Sequence, residues 1–377
     1  MRKQLYGLCL LGCTSVAHAQ TSITLYGRID NGIQYEGGLP TGGLVSAQSG
    51  DWGCSWFGLL GSEDLGGESK LLFRLEGQID TMTGASEGSL FGRRATVSLE
   101  NVRYGTFTLG NLGASELSQD SWAVDPQAMQ RYSVVTLVRA RNWAMASNGL
   151  AYETPAWAGL TLKGQYDLTN NTSWNKATTS TGQGRSDGLE AIYHYGDAHL
   201  RVIYDEIRGP NGSFNDVYAH SRSVLAAGRY VFGAVQLYAG YQHLSAPNAT
   251  NASVGVADSS QPAGVSAPSR VDHEWLGAFW RVNVETGLTA AIYHSHANHG
   301  NGNATLYTLG STYLLSKRTF LYAETGYLHN GATSNIGLSS GPYGNNDYDQ
   351  ASNIASNSNP DYGHSQFGVF AGIMTQF

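Results

Sequence analysis

The stretch KLLFRLEGQID (Lys70–Asp80) alternates. Leu71, Phe73, Leu75 and Ile79 fall on one face, and Lys70, Arg74, Glu76, Gln78 and Asp80 on the other. A period of two residues is that of a β-strand, whose successive side chains point to opposite faces. The pattern returns at Leu160–Thr169, where Leu160, Leu162, Tyr166 and Leu168 oppose Thr161, Lys163, Gln165, Asp167 and Thr169. It returns again where Val235, Leu237, Ala239 and Tyr241 oppose Gln236, Tyr238 and Gln242. A half-buried soluble sheet also alternates. Its strands average about five or six residues, whereas these run to about ten. A tilted strand that crosses a bilayer needs about nine to eleven.

Composition agrees with a membrane-spanning sheet. Charged residues make up 14% of the chain, against about 25% in ordinary soluble proteins. Tyr and Trp account for 30 of the 41 aromatic residues, and both suit a membrane–water interface. Past the first residues no apolar run reaches eighteen, and the mean hydropathy is −0.26, which excludes a helical membrane protein. An alternating barrel hides its apolar half from such an average.

Sixteen strands are expected, beginning near Ser22, Trp52, Lys70, Phe91, Thr106, Asn148, Leu160, Asp187, His199, Ser223, Val235, Val271, Leu288, Thr305, Thr319 and Gly363. Their connections alternate between short turns, such as Glu63–Gly67 and Asn283–Gly287, and long polar loops. The long ones include Glu36–Gly50, Ala114–Ser147, Thr169–Gly184, Ala246–Pro268 and Gly331–Tyr362. An even strand number with short turns at one end and long loops at the other is the plan of a bacterial outer-membrane barrel. Sixteen strands leave room for a water-filled lumen. The fold class is therefore all-β, a 16-stranded antiparallel transmembrane barrel with short periplasmic turns and long external loops.

The first nineteen residues read as a cleaved export signal. Arg2 and Lys3 precede the apolar run Leu5–Val16, and Ala17-His18-Ala19 is a small-x-small cleavage site. Residues 20–377 then form one barrel domain. Leu10–Cys13 faintly echoes a lipoprotein box, but cutting there leaves too short an apolar run. Without Arg2 and Lys3 the chain carries 20 basic and 29 acidic residues, so no nucleic acid is expected as a partner. Cys9 and Cys13 leave with the signal, and Cys54 reads as a small, partly buried filler and not as a catalytic nucleophile. Glu63 and Asp64 precede Gly66-Gly67 and read as a turn, not an acid pair. His294, His296 and His299 lack an adjacent carboxylate or thiol, so no metal is expected. No catalytic motif is present, and neither enzymatic activity nor a cofactor is expected.

Seven stretches, in order along the chain, resemble the general porins of Gram-negative bacteria, in the betaproteobacterial branch that includes the comamonad-type anion-selective porins. They are Ser22–Asp30 (SITLYGRID), Gly61–Gly67 (GSEDLGG), Arg93–Leu99 (RRATVSL), Tyr104–Gly110 (YGTFTLG), Arg141–Ala144 (RNWA), Leu315–Thr319 (LSKRT) and the terminal Phe377. The resemblance implies a homotrimer in the outer membrane, in contact with lipid and lipopolysaccharide, passing ions and small hydrophilic solutes. It also implies that the third loop, here 114–147, folds inward and narrows the lumen.

In such porins, wall arginines face carboxylates on that loop. Strand registers nominate Arg74 and Arg94 for the wall, Arg94 sharing a face with Thr96, Ser98 and Glu100. Arg141 is nominated by the resemblance. Arg93 falls in the apolar register and is not nominated. Glu116, Asp120 and Asp125 are the loop acids. One departure stands out. Relatives carry an arginine just before the aromatic-glycine pair of strand two, where this chain reads Cys54-Ser55-Trp56-Phe57-Gly58. That weakens the expectation of strong anion selectivity. Two other readings stay open. One is a substrate-selective channel on the same barrel, motivated by Trp122, Tyr132 and Trp143. The other is an outer-membrane adhesin or enzyme.

Overall fold

A computed structural model describes residues 22–114, 117–167, 186–209, 212–251, 266–339 and 359–377. The chain order begins with β1 (Ser22–Glu36), β2 (Leu44–Ser49), β3 (Trp56–Gly66), β4 (Ser69–Gln78), β5 (Arg94–Asn101) and β6 (Gly105–Asn111). A long connection then carries the two-residue strand β7 (Gly113–Ala114), a 3-10 turn (Ser118–Val124), α1 (Val134–Leu137), a second 3-10 turn (Arg141–Trp143) and β8 (Met145–Ala146). The wall resumes with β9 (Gly149–Glu153), β10 (Leu160–Asp167), β11 (Ser186–Tyr195), β12 (Ala198–Ile207), β13 (Arg222–Phe232) and β14 (Val235–Ser245). It ends with β15 (Arg270–Arg281), β16 (Thr286–Ala297), β17 (Ala304–Leu314), β18 (Thr319–Asn330) and β19 (Gln366–Gln376).

Neighbouring wall strands pair antiparallel, and β1 pairs with β19 from Arg28↔Gln376 to Glu36↔Gly368, which closes the sheet. β2 and β3 both pair with β1 and form one wall strand, interrupted at Gly50–Ser55. The wall therefore has sixteen strands. Every expected strand start lies near an observed one except the second. That strand begins at Leu44, inside the stretch Glu36–Gly50 read as a loop.

The exposed residues explain the closure. Along β12, Leu200, Val202 and Tyr204 face outward and exposed, while Ile203 and Asp205 face inward and buried. Along β19, Phe367, Val369 and Ile373 are exposed and Gln366 and Phe370 are buried. A soluble protein could not leave such apolar rows in water at roughly 25 cal/mol per Å²; a bilayer covers them. Tyr104, Trp157, Tyr195, Phe232, Trp280, Tyr313 and Phe377 ring the short-turn end, and Tyr35, Tyr204, Tyr241, Tyr327 and Phe367 ring the long-loop end. Two aromatic girdles flanking an apolar band mark a transmembrane barrel. Among the described residues no helix is long and apolar enough to cross a membrane. The crossing is made by strands.

The connection between β6 and β9 turns into the barrel. Its Leu117, Val124, Met129, Tyr132, Val134, Val135, Leu137 and Val138 are buried against inward-facing Ile203, Leu225, Leu244, Trp275, Tyr293, Leu306, Leu328 and Phe370. The core of this protein therefore lies inside the barrel, against the β12–β19 wall. Inward glycines admit the loop. A Cβ on Gly277 would stand 2.5 Å from Pro126, and one on Gly326 would stand 2.9 Å from Tyr132.

Candidate functional site: the lumen and its waist

Filling one side of the barrel leaves the other side open. Among the described residues, two cavities lie there. One, of about 630 Å³, is bordered by Tyr26, Trp56, Arg74, Glu76, Arg93 and Arg94 on the wall side and reaches Glu87–Ser89 in the long β4–β5 connection. The other, of about 550 Å³, is bordered by Arg28, Trp52, Trp122, Phe320 and Gln376, and reaches Leu314 beside a short turn. Arg93, Gln119 and Trp143 border both. These three frame the waist between the outer and inner halves of the passage.

The wall of the passage is basic. Arg93 Nε lies 3.2 Å from Glu76 Oε2, and its Nη1 donates to Cys54 Sγ at 3.0 Å. Arg28 Nε donates to the Cys54 carbonyl at 2.9 Å. The two guanidiniums flank Trp56, with Arg93 5.2 Å and Arg28 5.9 Å from its ring centre. Arg74 lies 3.9 Å from Glu76, whose Oε1 also accepts from the Tyr26 hydroxyl at 2.7 Å. Among the described residues, four arginines and two carboxylates, Glu76 and Glu87, line the two cavities. The loop side contributes indoles and amides: Gln119, Trp122, Gln130 and Trp143.

The nominated residues fall in different places. Arg74 and Arg94 border the outer cavity. Arg141 does not border either. It is 2% exposed, with Nη1 2.7 Å from Asp205 and further donor contacts to Ser221 Oγ and its carbonyl oxygen. Its charge is consumed in fastening the inward loop to β12. Asp120 is likewise turned to the wall, 2.6 Å from Lys163 Nζ and 3.4 Å from Arg201 Nη1. Asp125 is buried at 2% exposure, accepts from the Tyr293 hydroxyl at 2.7 Å and from the Gln127 amide at 2.8 Å. Burial pushes this loop carboxyl up to about 6, against the pull of the Tyr293 hydrogen bond. Asp120 and Asp125 are anchors of the loop, absent from the borders of both cavities. Glu116 lies outside the described residues.

Two arginines of the passage escaped the nomination. Arg93 precedes β5, where the alternation of the strand no longer governs which way a side chain points. Arg28 was readable: it shares the inward face of β1 with Tyr26 and Asp30, opposite exposed Ile23 and Leu25. Both lie beside Trp56, at the stretch where the expected arginine is missing. Cys54 is buried beside both, accepting from Arg93 at its sulfur and from Arg28 at its carbonyl oxygen. The Glu63–Asp64 pair borders a turn, in which Asp64 Oδ1 accepts from the Gly66 amide at 2.8 Å and Gly66 and Gly67 take positive φ. His294 and His296 point outward and exposed, on the face away from the lumen.

A closed sixteen-stranded barrel with an apolar belt, two aromatic girdles, an inward loop and a charged waist defines an outer-membrane channel. A sequence profile of the Gram-negative porin family matches residues 7–333, and the chain belongs to that family. An outer membrane porin of Bordetella pertussis is 28% identical over 374 residues, covering 88% of this chain and 95% of that one. Among solved structures, the anion-selective porin from Comamonas acidovorans superposes with a TM-score of 0.75 at 23% identity, covering 95% of this chain and 100% of that one. A trimer form of OmpT from Vibrio cholerae superposes with a TM-score of 0.61 at 16% identity, covering 95% and 99%.

Proposed function

We propose that this porin passes small anions in preference to cations, through a waist framed by Arg93, Gln119 and Trp143, with Arg74 and Arg94 on the wall of the outer cavity and Arg28 on that of the inner one. The observation that carries this reading is the excess of arginine on the passage wall, four against the two carboxylates Glu76 and Glu87 among the described residues. Guanidiniums stay charged at any working pH, and the loop acids with described positions are spent on wall contacts. A solute passes by diffusion, sorted by size and by the field of that wall. The mature chain begins at Gln20 and assembles as a homotrimer, a reading supported by the likeness to the trimer form of OmpT. The outer membrane supplies lipid and lipopolysaccharide around it.

Liposome swelling tests the reading. Vesicles bearing the purified protein should admit arabinose and glucose quickly and a trisaccharide far more slowly. Swelling no faster than in protein-free vesicles would contradict an open passage.

A further inference from the structure

We propose that the waist binds aromatic carboxylates, small anions that carry a flat ring. The inference rests on the channel reading and names a solute class that the same site would hold.

Four of the eight tryptophans, Trp52, Trp56, Trp122 and Trp143, border the two cavities. A passage that sorts by charge and size alone is served by polar walls, which keep the solute's water shell intact. Large rings against water are the costlier choice. Trp122 is 51% exposed on the loop, facing the inner cavity. Trp143 borders both cavities.

The rings sit opposite cations, and this juxtaposition selects the ligand. Arg93 shares both cavities with Trp143, and Arg28 shares the inner one with Trp122 and Trp143. A guanidinium recognises a carboxylate through paired, charge-assisted hydrogen bonds. An indole recognises a flat ring by offset or edge contact, worth a factor of about 2 to 12 in affinity. A benzoate-like molecule satisfies both partners at once. An aromatic cation would meet the indoles but be repelled by the arginines. An aliphatic carboxylate would meet the arginines and leave the rings in water.

The test titrates benzoate into KCl on both sides of a planar bilayer holding many channels of the mature protein. Cyclohexanecarboxylate, with the same charge and nearly the same size, is the matched control, and maltose is the neutral one. Benzoate should reduce the conductance saturably, with a half-blocking concentration at least about fivefold below that of cyclohexanecarboxylate. Trp143→Leu should abolish the difference between the two acids. Trp122→Leu, at a half-exposed position that tolerates change, should reduce it. Arg93→Gln should weaken block by both acids. Equal block by both acids, block by maltose alone, or no block at all would overturn the proposal while normal KCl conductance left the channel standing. Absence of KCl conductance would contradict the channel itself.

Discussion

Replacing Arg28 and Arg93 together by glutamine is expected to lower the anion-to-cation permeability ratio about 25-fold. The two guanidiniums flank Trp56. Arg93 borders the waist and Arg28 the inner cavity just beyond it. A unit charge about 4 Å away lowers a passing anion and raises a passing cation by roughly 1 kcal/mol each in water; salt screening and the Glu76 carboxylate beside Arg93 roughly halve the sum, leaving a factor of about 5 in the ratio for each arginine. Glutamine is shorter and carries fewer donors, but it keeps a polar, uncharged amide near Cys54, so the wall should hold its shape. Each single variant should give about a fivefold change. Raising the salt should shrink the effect, because the Debye length falls to about 3 Å at 1 M. Zero-current potentials across a KCl gradient measure the ratio directly. An unchanged potential in the double variant would remove both arginines from the selectivity of the pore.

Arg141→Ala is expected to do something different: to destabilise the barrel. The guanidinium and its partner Asp205 are both at most 2% exposed as side chains. Removing one member of a buried ion pair leaves the other charged and unpaired, at a cost of about 3–5 kcal/mol. The inward loop would lose its tie to β12 and to Ser221. Thermal unfolding of the purified protein, followed by circular dichroism, should show a clear drop in the midpoint. Arg141→Leu with Asp205→Leu should recover much of it, since an apolar pair of similar volume is often neutral. An unaltered midpoint together with a shift of the reversal potential toward cations would place Arg141 in the pore and contradict the buried anchor.

The contrast between Arg93 and Arg141 shows where sequence reading reaches and where it stops. Strands facing lipid on one side and water on the other alternate plainly, so Lys70–Asp80 and Leu160–Asp167 could be read from single residues. Several strands under the inward loop, such as β13 and β17, do not. Their inward positions are apolar too: Leu225 lies next to exposed Val224, and Leu306 next to exposed Tyr307. The loop's own core was therefore hidden, although its length was legible. The fate of each loop acid was hidden as well. Asp120 meets Lys163 and Arg201, and Asp125 meets Tyr293, all far along the chain. A carboxylate that faces the pore and one that fastens the loop have the same local sequence. Arg28 was legible by register, whereas Arg93 was lost because it stands just before its strand.

The central claim is a hydrated passage with a basic waist. Single-channel recording in a planar bilayer under a tenfold KCl gradient tests it most directly. The account predicts discrete ohmic steps and a zero-current potential whose sign reports chloride as the favoured ion. A membrane that stays silent with folded protein present, or steps whose potential favours potassium, would contradict it.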